Sequence, residues 1–264
     1  MSAIRLGTRA STLATTQSEM VARLLRSEGL DVDLTTITTH GDTSTASLAA
    51  MGGIGVFASA IRATLLKGEA DIAVHSFKDL PTGRPLGLAI GAVPARADPR
   101  DALVARDGLT LHDLPQEASV GTGSPRRAAQ LLAVRPDLTI VDIRGNVDTR
   151  LGRVKGLGHY AKGGGKEDLD AVVLAASGLA RLGHSGTVTE FLDPSVVLPA
   201  PAQGALAVEC RTADSRHGKL AKALARIDDR RTRLAATAER AVLSHLEAAV
   251  SYTHLRAHET LRYL

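Results

Sequence analysis

Aromatic side chains are scarce in this sequence, cysteine occurs once, and long apolar runs are missing. Tryptophan is absent, and Phe and Tyr number three each among 264 residues. A core must therefore be built from Ala, Leu, Val and Ile. The same scarcity argues against stacking platforms for single-stranded nucleic acid, which need aromatic faces. The one cysteine, Cys210, rules out an internal disulfide framework and fits a reducing compartment, so a cytoplasmic protein is expected. No apolar stretch approaches the length of a membrane span, and the N-terminus lacks the apolar segment of a secretory signal. Excess charge is also small, at +4 from 32 basic and 28 acidic residues. That balance suits anionic small molecules as well as it suits nucleic acid.

What is present is a regular alternation of short apolar strands with helical patterns, which predicts an α/β protein with parallel sheets covered by helices. "AIRLG" reads as a strand, a helix follows from about Ser11 to Glu28, and "DVDLTTITT" is a second strand. After a glycine-rich loop and a helix comes "EADIAVHSFKDLP", a buried strand that opens into Ser76, Lys78 and Asp79 before Pro81 breaks it. "PARADPRDALV" reads as a crossing between domains. The scheme then restarts. "ASVGTGSPRRAAQLL" repeats "IRLGTRASTLATTQ": each strand ends in Gly-Thr, at Thr8 and Thr122, and each helix opens on a serine, Ser11 and Ser124. Two such units imply two lobes facing a shared cleft.

Gly-Thr turns set backbone N–H groups at helix starts, where the helix dipole favours an anion. Ser11 and Ser124 read as plain N-caps when each is taken singly. Arg9, Arg126 and Arg127 beside the matched turns shift the reading toward carboxylate or phosphate binding. Arg144 ends a further strand, Gly145 permits close backbone approach, Asn146 caps the next helix, and Arg150 lies along it. Arg181 follows another strand. Strand ends are where open α/β sheets bind ligands, and arginine forks suit carboxylates. His75 and Cys210 read as buried strand residues. His254 and His258 have helical spacing but no further ligands, and no metal site is expected.

These segments resemble the porphobilinogen deaminase (hydroxymethylbilane synthase) family. "RLGTRASTLATTQ", "DIAVHSFKDLP", "DPRDALV", "VGTGSPRR", "IRGNVDTRL", "LAASGLARLG", "LPAPAQGALAVECR" and "ATAERAVLSHLEA" run in family order from Ile4 to about Ala248. The resemblance implies two periplasmic-binding-protein-like lobes around a cleft, a third α+β domain, and a dipyrromethane cofactor thioether-linked to a cysteine. It also implies a transferase that joins four porphobilinogen units head to tail with loss of ammonia, in tetrapyrrole and haem biosynthesis. Asp79 matches the family's catalytic aspartate. Arg9, Ser11, Ser76, Lys78, Thr122, Ser124, Arg126, Arg127, Arg144, Gly145, Arg150, Arg181 and Gln203 are the expected substrate and cofactor contacts. Leu at position 126, 127 or 144 is expected to weaken ligand binding more than stability. A monomer is expected, with no nucleic-acid or membrane partner. A two-lobed anion-binding protein without catalysis, or a nucleic-acid binder using the arginines, fits many of the same residues, although Asp79 suits cation chemistry and repels phosphates.

The expected domains are 1–97 with 199–213, then 98–198, then 214–250 as the remnant of a truncated third domain. Three departures from the family pattern stand out. Ile54 in "GGIG" replaces a possible lysine contact, and "KGLGHYAKGGGKED" reads as a surface-loop insertion. Val250 occupies the place of the cofactor cysteine, with residues 251–264 reading as a foreign tail. The chain as written is accordingly expected to be inactive.

Overall fold

The computed structural model describes residues 3–37, 56–83 and 85–246. The expectations for Ile54, Val250, His254, His258 and the tail from residue 251 lie outside the described residues. The chain divides into two compact units, one running to Ala97 and resuming at Ala205, the other spanning Asp98–Gly204.

The first unit opens with β1 (Ile4–Thr8), α1 (Thr12–Ser27), β2 (Val32–Thr36), α2 (Val56–Leu66), β3 (Ile72–Ser76) and β4 (Leu88–Ala92). Between β3 and β4 sits a single 3₁₀ turn, Phe77–Asp79. The second unit carries β5 (Asp101–Ala105), β6 (Ser119–Gly121), α3 (Pro125–Val134), β7 (Thr139–Val141), α4 (Val147–Leu151), β8 (Ala171–Ala175), α5 (Ala176–Arg181) and β9 (Glu190–Phe191). The chain then returns to the first unit with β10 (Leu206–Arg211), α6 (Gly218–Ile227) and α7 (Arg230–His245).

Local chemistry accounts for the helix starts. Ser11 Oγ accepts from Ala14 N–H, Ser124 Oγ from Arg127 N–H, and Asn146 Oδ1 from Thr149 N–H, so each of these residues is an N-cap. Pro125 follows its cap at the first helical position, where the missing N–H costs nothing. In α1 the buried Gln17, Ser18, Val21, Ala22 and Leu25 fall on one helical face.

The two sheets share one plan. The first has strand order β2-β1-β3-β10-β4 and the second β7-β6-β8-β5-β9. In each, four strands run in one direction and one, β10 in the first and β5 in the second, runs antiparallel to them. The alternating pattern had predicted parallel sheets throughout. Only a crossover helix on the same sheet forces parallel direction. Neither β5 nor β10 is reached that way, because each follows a segment of the other unit.

Both faces of each sheet are buried, as the near-continuous apolar strands require. In the second unit Leu103, Val120, Leu131 and Val173 pack on one face, and Val104, Ile143, Leu151, Val172 and Leu179 on the other. In the first, Leu6, Val21, Leu25, Ile72, Val74 and Val208 form the larger core. Ile61, Leu65, Ala73 and Leu88 form the core beneath α2. Each such side chain contributes about 1.5–3 kcal/mol by leaving water. Helix α6 adds Leu220, Ala223, Leu224 and Ile227 to the larger core, so α6 and α7 pack with the first unit.

Candidate active site

Parallel strands end on the same edge of their sheet, and that edge gathers the polar residues of each unit. In the first unit β1 pairs with β3, with Gly7 opposite Ala73, so the turn through Arg9 and Ser11 and the turn through Asp79 lie on one edge. A side-chain pair ties them together: Gln17 Nε2 donates to Ser76 Oγ at 3.1 Å, and Ser76 Oγ lies 3.2 Å from Gln17 Oε1. Ser76 is thus engaged with α1. Asp79 is exposed on the 3₁₀ turn and Lys78 partly so. Ser11 serves α1 as its cap, and Thr8 is buried.

Beneath this edge lies a buried charge cluster absent from the sequence reading. Glu209 on β10 has no exposure, and Arg62 Nε stands 3.1 Å from both its carboxylate oxygens. His75 Nε2 lies 3.3 Å from Glu209 Oε2, a close contact without hydrogen-bond alignment. Burial works against ionising Glu209, but the contacts from His75 and Arg62 outweigh it and hold the carboxyl below its usual range. A lone glutamate inside the apolar strand "ALAVEC" was the available signal. His75 and Cys210 are buried, as expected, and burial pushes the Cys210 thiol up to about 11.

In the second unit Thr122 and Ser124 follow β6, Arg144 and Gly145 follow β7, and Arg181 closes the short helix after β8, again on one sheet edge. Thr122 is buried, and its Oγ1 accepts from Ser124 N–H at 3.2 Å. Arg126 and Arg127 converge on Asp101, a fully buried carboxylate at the start of β5. Arg126 Nη2 donates to Asp101 Oδ2 at 2.7 Å and Arg127 Nη2 to Oδ1 at 2.6 Å. Arg126 also donates to Leu198 O, and Arg127 to Val173 O at 3.1 Å. Gln203 Nε2 completes the network, donating to Asp101 Oδ1 at 2.8 Å and Pro99 O at 2.7 Å. Burial alone would raise the Asp101 pKa. The charges and hydrogen bonds of Arg127 and Arg126 overcome that and lower it to about 2. Asp101 was quoted in "DPRDALV" without a role, although a charge opening an all-buried strand was the sign of a partner.

Arg144 is half-exposed with Asp142 at 3.8 Å, and Arg150 Nε donates to Gly145 O at 2.9 Å. Gly145 has a reason other than ligand approach. Its φ is +99°, and an added Cβ would meet Thr149 at 2.9 Å. Arg181 is partly buried and donates to Gly204 O at 2.7 Å, while burial lowers its pKa to about 10. The Nε atoms of Arg181 and Arg127 are buried donors without a hydrogen-bond partner. Unsatisfied cationic donors of this kind are costly unless an acceptor is supplied. No group of three metal-ligating side chains occurs among the described residues, and no described helix is long and apolar enough to cross a membrane.

Comparison with known proteins gives the family. Residues 4–219 match the family model "Porphobilinogen deaminase, dipyromethane cofactor binding domain". A porphobilinogen deaminase of Cutibacterium acnes is 97% identical over 248 residues, covering 94% of this chain and 74% of the relative. One from Micrococcus luteus is 56% identical over 267 residues, covering 94% and 71%. Among solved structures, a periplasmic substrate-binding protein from Coxiella burnetii is similar at 16% identity and a TM-score of 0.49, over 89% of this chain and 96% of that one. The chain belongs to the porphobilinogen deaminase family, transferases of tetrapyrrole biosynthesis whose matched domain binds a dipyrromethane cofactor.

Proposed function

We propose that Asp79 is the catalytic group of this chain and that Arg9, Lys78, Arg126, Arg127, Arg144, Arg150 and Arg181 hold carboxylates of substrate and cofactor. Ser11, Ser76, Thr122, Ser124, Gly145 and Gln203 shape the turns that present them. The observation carrying this reading is the pairing of polar turns with parallel strand ends in both units, with the exposed Asp79 in the first and an arginine-rich edge in the second. Loss of ammonia from the aminomethyl group of porphobilinogen breaks a carbon–nitrogen bond and leaves an azafulvenium cation. The Asp79 carboxylate stabilises that developing positive charge and takes part in proton transfer as the new carbon–carbon bond forms. Dipyrromethane fits the charge of this edge, because its carboxylate arms match the guanidinium groups of the exposed Arg144 and the partly exposed Arg150. When bound, it supplies electron-rich pyrrole carbon for bond formation. The proposed domains are 1–97 with 199–213, 98–198, and a third from 214 to 250; the unit boundary at Ala97/Asp98 supports the first crossing, whereas the chain returns at Gly204/Ala205 and α6 and α7 pack with the first unit. The protein is placed in the cytoplasm as a monomer; the single cysteine of the sequence accords with the reducing compartment.

Arg144→Leu tests the cationic contacts at a site with little structural burden. Calorimetric porphobilinogen binding to the chain continued with a family C-terminus and loaded with cofactor is expected to weaken about tenfold. The unfolding free energy should change by only about 0.5 kcal/mol. Unchanged binding would remove Arg144 from the site.

Covalent cofactor attachment needs an accessible thiolate, and the 264-residue chain offers only Cys210, which is fully buried and holds its proton. Intact mass after incubation with porphobilinogen should therefore be unchanged, and turnover absent. A mass increase matching dipyrromethane, mapped to Cys210, would refute this.

A further inference from the structure

A residue on α7 grips the turn that carries Asp79. That turn closes with a long backbone hydrogen bond, Leu80 N–H to Phe77 O at 3.3 Å. Arg240 supplements it from outside. Its Nη1 donates to Phe77 O at 3.1 Å and Leu80 O at 2.8 Å, and its Nη2 donates to Pro81 O at 2.6 Å. These carbonyls bracket Lys78 and Asp79 on both sides. The guanidinium also lies 4.5 Å from the centre of the Phe77 ring. A planar fork can serve several carbonyls at once, whereas an ammonium is a point donor.

The helix bearing Arg240 is itself fixed to the first unit. Asp229 caps it through Thr232 N–H at 2.7 Å, and Thr232 Oγ1 accepts from Arg96 N–H at 3.0 Å. Arg96 then pairs with Glu239, the neighbour of Arg240, through bonds of 2.6 and 2.9 Å. The grip on the turn is thus transmitted from a helix 160 residues away in sequence.

We propose that Arg240 is a positioning residue for the family's reaction: by forking onto the carbonyls of Phe77, Leu80 and Pro81, it fixes the backbone that presents the Asp79 carboxylate to the developing cation. The inference rests on the reading of Asp79 as the catalytic group. Arg240 acts through the turn and has no contact with substrate to make.

The test compares Arg240→Leu and Arg240→Lys with Arg233→Leu. Arg233 is on the same helix and bonded to Asp228 and to the carbonyls of Ile90 and Gly91, away from the turn. In this chain, hydrogen exchange at the Lys78–Leu80 amides should rise at least about tenfold in Arg240→Leu and stay unchanged in Arg233→Leu. For kinetics, the chain is continued with the C-terminal part of its Cutibacterium acnes relative and loaded with cofactor. There kcat should fall roughly 10- to 100-fold in Arg240→Leu with KM little changed, recover in part in Arg240→Lys, and hold in Arg233→Leu. In an Asp79→Asn background, Arg240→Leu should cost little more. Equal loss of kcat in both leucine variants, or unaltered exchange at the turn, would overturn the proposal. Should Asp79→Asn alone leave turnover normal, the reading of Asp79 fails instead, and the exchange result still reports whether Arg240 holds the turn.

Discussion

Asp79→Asn is expected to lower turnover by about a thousandfold in the cofactor-loaded enzyme with a family C-terminus, while porphobilinogen still binds. The substitution is nearly isosteric and sits on an exposed turn, so the fold has no reason to change. The turn is held by backbone contacts, through Arg240 and Leu80 N–H, and none of them uses the Asp79 side chain. What disappears is one negative charge at the place where positive charge develops. An amide dipole replaces only a small part of that attraction. Turnover by stopped assay and binding by calorimetry separate the two effects. Normal turnover would show that the cation is stabilised by another group, and a parallel loss of binding would make Asp79 a ground-state contact.

Much of this edge was legible in the sequence, because it is local. Gly-Thr after an apolar run, followed two or three residues on by a serine, specifies a strand, a turn and a capped helix within about ten residues, and the recurrence of that pattern exposed the two-unit plan. Ser11 and Ser124 capped their helices as their residue type demands. The direction of β5 and β10 was not legible, since it depends on where the chain returns from. The partners of the arginines were hidden for the same reason. Asp101 lies 25 and 26 residues before Arg126 and Arg127, Glu209 lies 147 residues after Arg62, and Arg240 reaches back about 160 residues to the Asp79 turn. Charge and strand pattern announced that Asp101 and Glu209 needed partners, but not which ones.

That network changes what the basic pair is expected to do. Leucine at 126 or 127 was expected to affect ligand binding more than stability. The geometry instead makes both arginines counter-ions of a carboxylate with no solvent exposure, and Arg127 is itself buried. Breaking a buried pair strands the remaining charge, at a cost of about 3–5 kcal/mol. Arg127→Leu should therefore destabilise the second unit by about that amount, in addition to any loss of ligand. Asp101→Asn should also destabilise, because two arginines lose their shared acceptor while Gln203 keeps Pro99. The pH dependence follows from the direction of the Asp101 shift. Its folded pKa, about 2, lies below the 3.8 of an ordinary aspartate. The extra stability is therefore complete above about pH 4 and is lost as pH falls toward 2, amounting to about 2 kcal/mol. Denaturant titrations of parent and Asp101→Asn between pH 7 and pH 2 should diverge at neutral pH and converge in acid. Curves that stay parallel down to pH 2 would show that Asp101 is not ionised against the arginine pair, and would restore Arg126 and Arg127 to ligand binding alone.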